Sequence, residues 1–288
     1  MQRDINTNTR QARPQGSPLS VCGVAILCFV VLLMLLTPRI PQPKAYHDFA
    51  DKRKFFGIPY TLDVTSNFPF LAIGLAGLAL CYYGNYVKIS LQGEVLGWTV
   101  FYTGIATVAF GSSYYHLNPN DDRLVWDRLP MAIALAGILS IFVIERVDEK
   151  RGILSIIPSL LVGVGSVIYW RRFDDLRPYA MVETVPIIAI VLMALWIPPR
   201  YTHSTYWLWA AGCLLLARIG ELADKPIYKL SLHRVSGHTL KHVFGAILAV
   251  ILTLMLAQRD IQTERISLLQ RWRMSSRNKA KENGTKVS

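Results

Sequence analysis

The chain has 288 residues, of which 52% are hydrophobic and only 17% charged. A soluble domain carries about a quarter charged residues, so this apolar, clustered composition excludes a disordered chain, a collagen and a coiled coil. Lys and Arg outnumber Asp and Glu by 31 to 19; in a soluble protein that excess would suggest nucleic acid, but here it lies in loops and tails beside long apolar runs. There it reads as membrane topology and attraction to anionic lipid, with no nucleic acid as partner.

Residues 1–19 are polar, hold two prolines and show no periodicity, which predicts a flexible tail. Ser20–Leu36 is the first apolar run. Basic residues precede it, as in a signal peptide, but Thr37-Pro38-Arg39 follows in place of a small-residue cleavage site, so it is read as an uncleaved transmembrane anchor. Seven further spans are predicted at about Asn67–Tyr83, Val95–Tyr115, Leu129–Ile144, Ile153–Trp170, Tyr179–Ile197, Thr205–Leu222 and His238–Leu256. Each is close to the roughly 17–25 residues that cross a bilayer. The expected architecture is an all-α, polytopic membrane protein: an N-terminal anchor at 20–36, a seven-helix core at 46–257 and a basic C-terminal tail at 258–288. Eight spans put both termini on one face, and the tail's Arg271, Arg273, Arg277, Lys279 and Lys281 favour a cytosolic face there. Cys22, Cys28, Cys81 and Cys213 all sit in apolar runs, so neither a disulfide framework nor a Cys-based zinc site is expected.

Ionisable groups are costly inside a membrane, which makes each one a functional candidate. His238-Thr-Leu-Lys-His242 opens the last span, and i, i+4 spacing puts both imidazoles on one helix face. His116 ends a span that runs toward the same face, so the three histidines share one membrane depth. Three imidazoles with one open position form the ligand set of a catalytic zinc. Ser112 lies one turn before His116, and Asp127 opens the next span. A carboxylate there can hold or deprotonate a water at the metal, and a hydroxyl can donate to a developing oxyanion. Plainer roles stay open: Ser112 bonding a helix carbonyl, Asp127 capping its helix or pairing with Arg123 or Arg128. Glu183 reads as an inter-helix partner or cavity residue, and Arg218 with Glu221 as a structural i, i+3 ion pair.

The order Ser112-x-x-x-His116, Asp127, His238-x-x-x-His242 resembles the signature of the alkaline ceramidase family. That family belongs to a wider group of seven-span metal-dependent membrane hydrolases that includes adiponectin-type receptors. The stretches HDFADKRKFFGIP, TSNFPFLAIG, FGSSYYHLNPNDDRLVWDRLPM, YTHSTYWLWAAG and SGHTLKHVF are similar to its plant-type branch, over roughly Tyr46–Arg259. The resemblance implies zinc on His116, His238 and His242, water activation by Asp127 and oxyanion stabilisation by Ser112. The activity it implies is hydrolysis of the amide bond of ceramide-type lipids in the bilayer, giving a sphingoid base and a fatty acid, in the endoplasmic reticulum or Golgi. A receptor of the adiponectin type and a membrane lipid ester hydrolase are the alternatives. The family's calcium stretch corresponds to Asp48, Asp51 and, out of clear register, Asp63. Arg53 stands where the family has Asn, which removes an oxygen and adds a positive charge, so this departure argues against calcium.

Overall fold

A computed structural model describes residues 28–83 and 87–285. The expected tail at 1–19 and the first part of the anchor fall outside the described residues; 28–36 are helical (α1) and belong to a unit ending at Ile40. The second unit begins at Pro41 and holds the rest of the chain. Its helices are α2 (Thr61–Thr65), α3 (Phe68–Tyr82), α4 (Gln92–Leu117), α5 (Asp121–Arg146), α6 (Glu149–Phe173) and α7 (Arg177–Trp196). They are followed by α8 (Tyr206–Leu222), α9 (Asp224–Leu230), α10 (Gly237–Gln258) and α11 (Leu268–Thr285). The all-α expectation holds.

Among the described residues six helices are long and apolar enough to cross a membrane: Thr61–Tyr82, which joins α2 and α3, and α4, α5, α6, α7 and α10. These make the chain an integral membrane protein. Outward-facing side chains agree with that. On α6, Leu154, Ile157, Leu161 and Ile168 recur on one face and are all exposed, an apolar stripe that water would disfavour and lipid accepts.

The helices extend past the apolar runs because capping groups sit further out. Asn120 caps α5 by accepting from Arg123 N at 3.0 Å, and Asp148 caps α6 by accepting from Arg151 N at 2.9 Å. Pro119 stops α4 at Leu117, leaving only Asn118–Asn120 between α4 and α5. The two helices then pack through small residues. A Cβ on Gly104 would stand 2.5 Å from the backbone nitrogen of Ala134, and one on Gly137 2.5 Å from that of Phe101. Such contact is how membrane helices gain packing where lipid removes the hydrophobic drive.

At the far end of this pair lies a buried ion cluster. Arg259, after α10, bonds Glu94 of α4 at 2.6 Å and also Glu145 of α5, and its guanidinium lies 3.9 Å from the ring centroid of Tyr201. Tyr201 Oη donates to Glu94 Oε1 at 2.5 Å. Arg259 and Glu94 are both fully buried, so the cluster ties three helices by charges that have no water to fall back on.

Candidate metal centre

The hairpin of α4 and α5 delivers half of the site. Ser112 and His116 lie one turn apart near the end of α4, and Asp127 lies almost two turns inside α5; all three are buried. The helix-cap reading of Asp127 is overturned, because Asn120 holds that role. Of the two proposed cation partners, Arg123 stacks on Tyr114, while Arg128 bonds Gln42 Oε1 at 2.7 Å and lies over Trp170.

The first two turns of α10 deliver the other half. Ser236 caps the helix by accepting from Thr239 N at 3.0 Å, and Asp224 accepts from His238 N at 2.8 Å. These bonds fix where the helix starts and therefore where His238 and His242 point. His116, His238 and His242 converge, with ligand nitrogens all within 4.8 Å of one another and every residue buried. His116 Nε2 and His238 Nε2 are 3.2 Å apart. Two nitrogens bound tetrahedrally at about 2.0–2.1 Å stand about 3.3 Å apart, so the spacing fits a shared metal ion. Ser66 Oγ lies 2.8 Å from His242 Nδ1, which leaves Nε2 for the ion. Metal-bound histidines commonly have their second nitrogen held in this way. Among the described residues this is the one group of three or more such side chains that could hold a metal ion.

Phe49 covers the triad, with its ring 4.7 Å from that of His116 and 4.4 Å from that of His238. It is set there by the turn before it. His47 contacts Tyr115 Oη through Nδ1 at 2.8 Å and Asp121 through Nε2 at 3.0 Å, which pins Lys44–His47 to the α4–α5 hairpin.

The acidic stretch does not gather into an oxygen cage. Asp48 bonds Lys52 at 2.5 Å and Lys225 at 2.6 Å, with Lys225 the stronger influence in holding its carboxyl down at about 2. Burial opposes ionisation of Asp51, but Arg53, bonding it at 2.8 and 2.6 Å, keeps its pKa below the usual value. Asp63 accepts from Thr239 Oγ1 at 2.6 Å and so supports the start of α10. The two expected ligands nearest in sequence are thus neutralised by the chain's own cations.

From His242 an apolar cavity runs along the inside of the bundle. Ser112, Asp127 and His242 line its head, with Ile105, Leu135 and Leu252 among the apolar residues further along. Four charged residues also border it: Glu183, Arg218, Glu221 and Lys241. Lys241 bonds Glu221 at 2.6 Å, Arg218 bonds Glu221 at 2.6 Å and also Glu183, and Tyr46 Oη donates to Glu221 at 2.9 Å. The pair expected within α8 is therefore part of a chain linking α7, α8 and α10. Nothing local announces Lys241, Tyr46, Ser66 or Phe49 as site neighbours; the only sequence signal is that Lys241 lies between the two histidines.

Comparison of the chain with family models, curated proteins and solved structures gave no match.

Proposed function

We propose that this chain is a zinc-dependent amide hydrolase of ceramide-type sphingolipids. The observation that carries the reading is a cluster of three buried imidazoles, one of which, His242, lines the head of an apolar cavity together with the Ser112 hydroxyl and the Asp127 carboxylate. The similarity of the motif to the alkaline ceramidase family supports it. Three imidazoles with one open position form a ligand set of catalytic zinc. Zinc, when bound, supplies Lewis acidity and lowers the pKa of a water toward about 7.

The chain's own residues do the rest. Asp127 takes a proton from the attacking water and later gives it to the leaving nitrogen. The water's oxygen forms a bond to the acyl carbon, the C–N bond breaks, and its electron pair leaves with the nitrogen; the products are a fatty acid and an amine. Ser112 donates its hydroxyl hydrogen to the carbonyl oxygen as charge builds there. Ser66 holds the His242 ring in register, and Phe49 keeps bulk water from the imidazoles. An apolar cavity in the bundle suits a substrate whose tails stay out of water. The topology belongs to the same proposal: α8, a 17-residue helix, is the additional core span, and 28–36 is the end of an anchor.

The test is purified protein in detergent micelles, assayed for metal content and for product from ceramide, dihydroceramide and phytoceramide. We expect about one zinc per chain, lost in His238→Ala and His242→Ala. Asp127→Asn should keep the zinc and lower turnover by about 10²–10⁴-fold. A folded, zinc-loaded protein with no turnover on the three amides would sink the proposal. Turnover on matched ester lipids in that case would point to an ester hydrolase, and none on either to a receptor.

A further inference from the structure

The cavity has a defined floor. Its lining runs from Ser112 to Phe101 on α4, from Asp127 to Ile138 on α5 and from His242 to Leu252 on α10. At 1.5 Å per residue each of these intervals spans about 15–17 Å. On α8 the lining ends at Trp207. This ring is 3% exposed and meets Phe142 edge-on, with centroids 4.8 Å apart. The environment changes behind it. Trp207 also borders a second, small pocket shared with Glu145, Tyr201 and Arg259, which is the buried ion cluster. A hydrocarbon end pushed past the indole would meet a paired guanidinium and its carboxylates, and would strip their partners while gaining no apolar contact.

We propose that the cavity takes the acyl arm of the amide lipid and that Trp207, backed by Phe142 and the Arg259 cluster, sets the longest arm accepted. This rests on the hydrolase reading, because the arm is measured from the carbonyl held at Ser112 and Asp127. Extended backbone advances about 1.2 Å per bond, so about 16 Å holds about 14 carbons counted from that carbonyl. Two methylenes that find no room forfeit about tenfold in kcat/KM. The cut-off is therefore steep, whereas a cavity open at its far end would give a plateau.

Two substitutions move the floor in opposite directions. Trp207→Ala removes it. Ala210→Leu, one turn nearer the site and itself buried on the cavity wall, raises it by about 4.5 Å, equivalent to about four carbons. The experiment uses the full chain in micelles and an N-acyl series of about 10 to 24 carbons on one sphingoid base, bracketing the expected length. kcat/KM is measured at each length. In parallel, the shift in melting temperature is measured with saturated fatty acids of the same lengths, which requires no hydrolysis. We expect the cut-off to lengthen in Trp207→Ala and to shorten by about four carbons in Ala210→Leu, in both assays. If Trp207→Ala does not fold, Ala210→Leu decides alone. A cut-off that stays in place in folded, zinc-loaded variants overturns the gauge and leaves the hydrolase standing. A cut-off that moves in the melting series, with no amide turnover in the unmodified protein, upholds the gauge and overturns the hydrolase.

Discussion

Gly111→Ala tests the placement of Asp127 with one methyl group. Gly111 precedes Ser112 on α4, and the atom it faces is the backbone oxygen of Trp126, the residue before Asp127 on α5. A Cβ built on Gly111 stands 2.0 Å from that oxygen, where real Cβ atoms essentially never come closer than 3.0 Å. Neither group is a flexible side-chain end, so the helices must separate locally by about 1 Å. They are pinned further along by the Gly104–Ala134 and Gly137–Phe101 contacts, and the movement therefore falls at the hairpin end, between Ser112 and Asp127. A displacement of about 1 Å costs about 10²-fold in rate when it separates reacting groups. Overpacking should destabilise the fold by about 1–3 kcal/mol, partly offset by the better helix propensity of Ala. Zinc should remain, because the triad is shared between α4 and α10. The control is Gly165→Ala on α6, where a Cβ meets nothing within 4 Å. Ceramide turnover, zinc content and melting temperature are measured on the same preparations. Turnover by Gly111→Ala equal to that of the unmodified protein would refute the reasoning, since the close approach would then not set the Ser112–Asp127 geometry.

Two further outcomes are expected. Arg259→Met leaves Glu94 and Glu145 buried without their cation, and should lower stability by about 3–5 kcal/mol while leaving the zinc content unchanged; a melting temperature equal to that of the unmodified protein would show that the cluster is not buried as described. Added calcium should leave the melting temperature of the zinc-loaded protein unchanged, because Asp48 and Asp51 are already paired with Lys52, Lys225 and Arg53; a concentration-dependent rise would show a calcium site.

The histidines could be read as one site before any coordinates, because i, i+4 spacing and the alternating direction of the spans bring His116, His238 and His242 to one depth. Six of the expected spans were legible because long apolar runs have few alternatives. Their true ends were not, since Glu94, Asp121, Glu145 and Arg146 are helical although polar. Helix α11 was missed inside a segment read as a basic tail, where charge concealed the helical run from Leu268. The Arg218–Glu221 pair was legible from its i, i+3 spacing, but the Arg259 cluster and the links from that pair to Glu183 and Lys241 were beyond reach for a different reason. Their partners are up to 165 residues apart and share a location only after the helices pack, so no local pattern marks them.

The α4–α5 hairpin also has a consequence for timing. Ser112, His116 and Asp127 leave the ribosome almost together and need only a three-residue connection, Asn118–Asn120, to be brought face to face. His238 follows His116 by 122 residues, which at 5–20 residues per second is about 6–24 s of synthesis. For that interval the nascent chain carries the acid, the hydroxyl and one imidazole of the triad, with α6, α7, α8 and α10 still to be made. A metal ion that needs all three imidazoles would therefore be captured only once α10 has been made, so its binding would certify that the bundle has been completed.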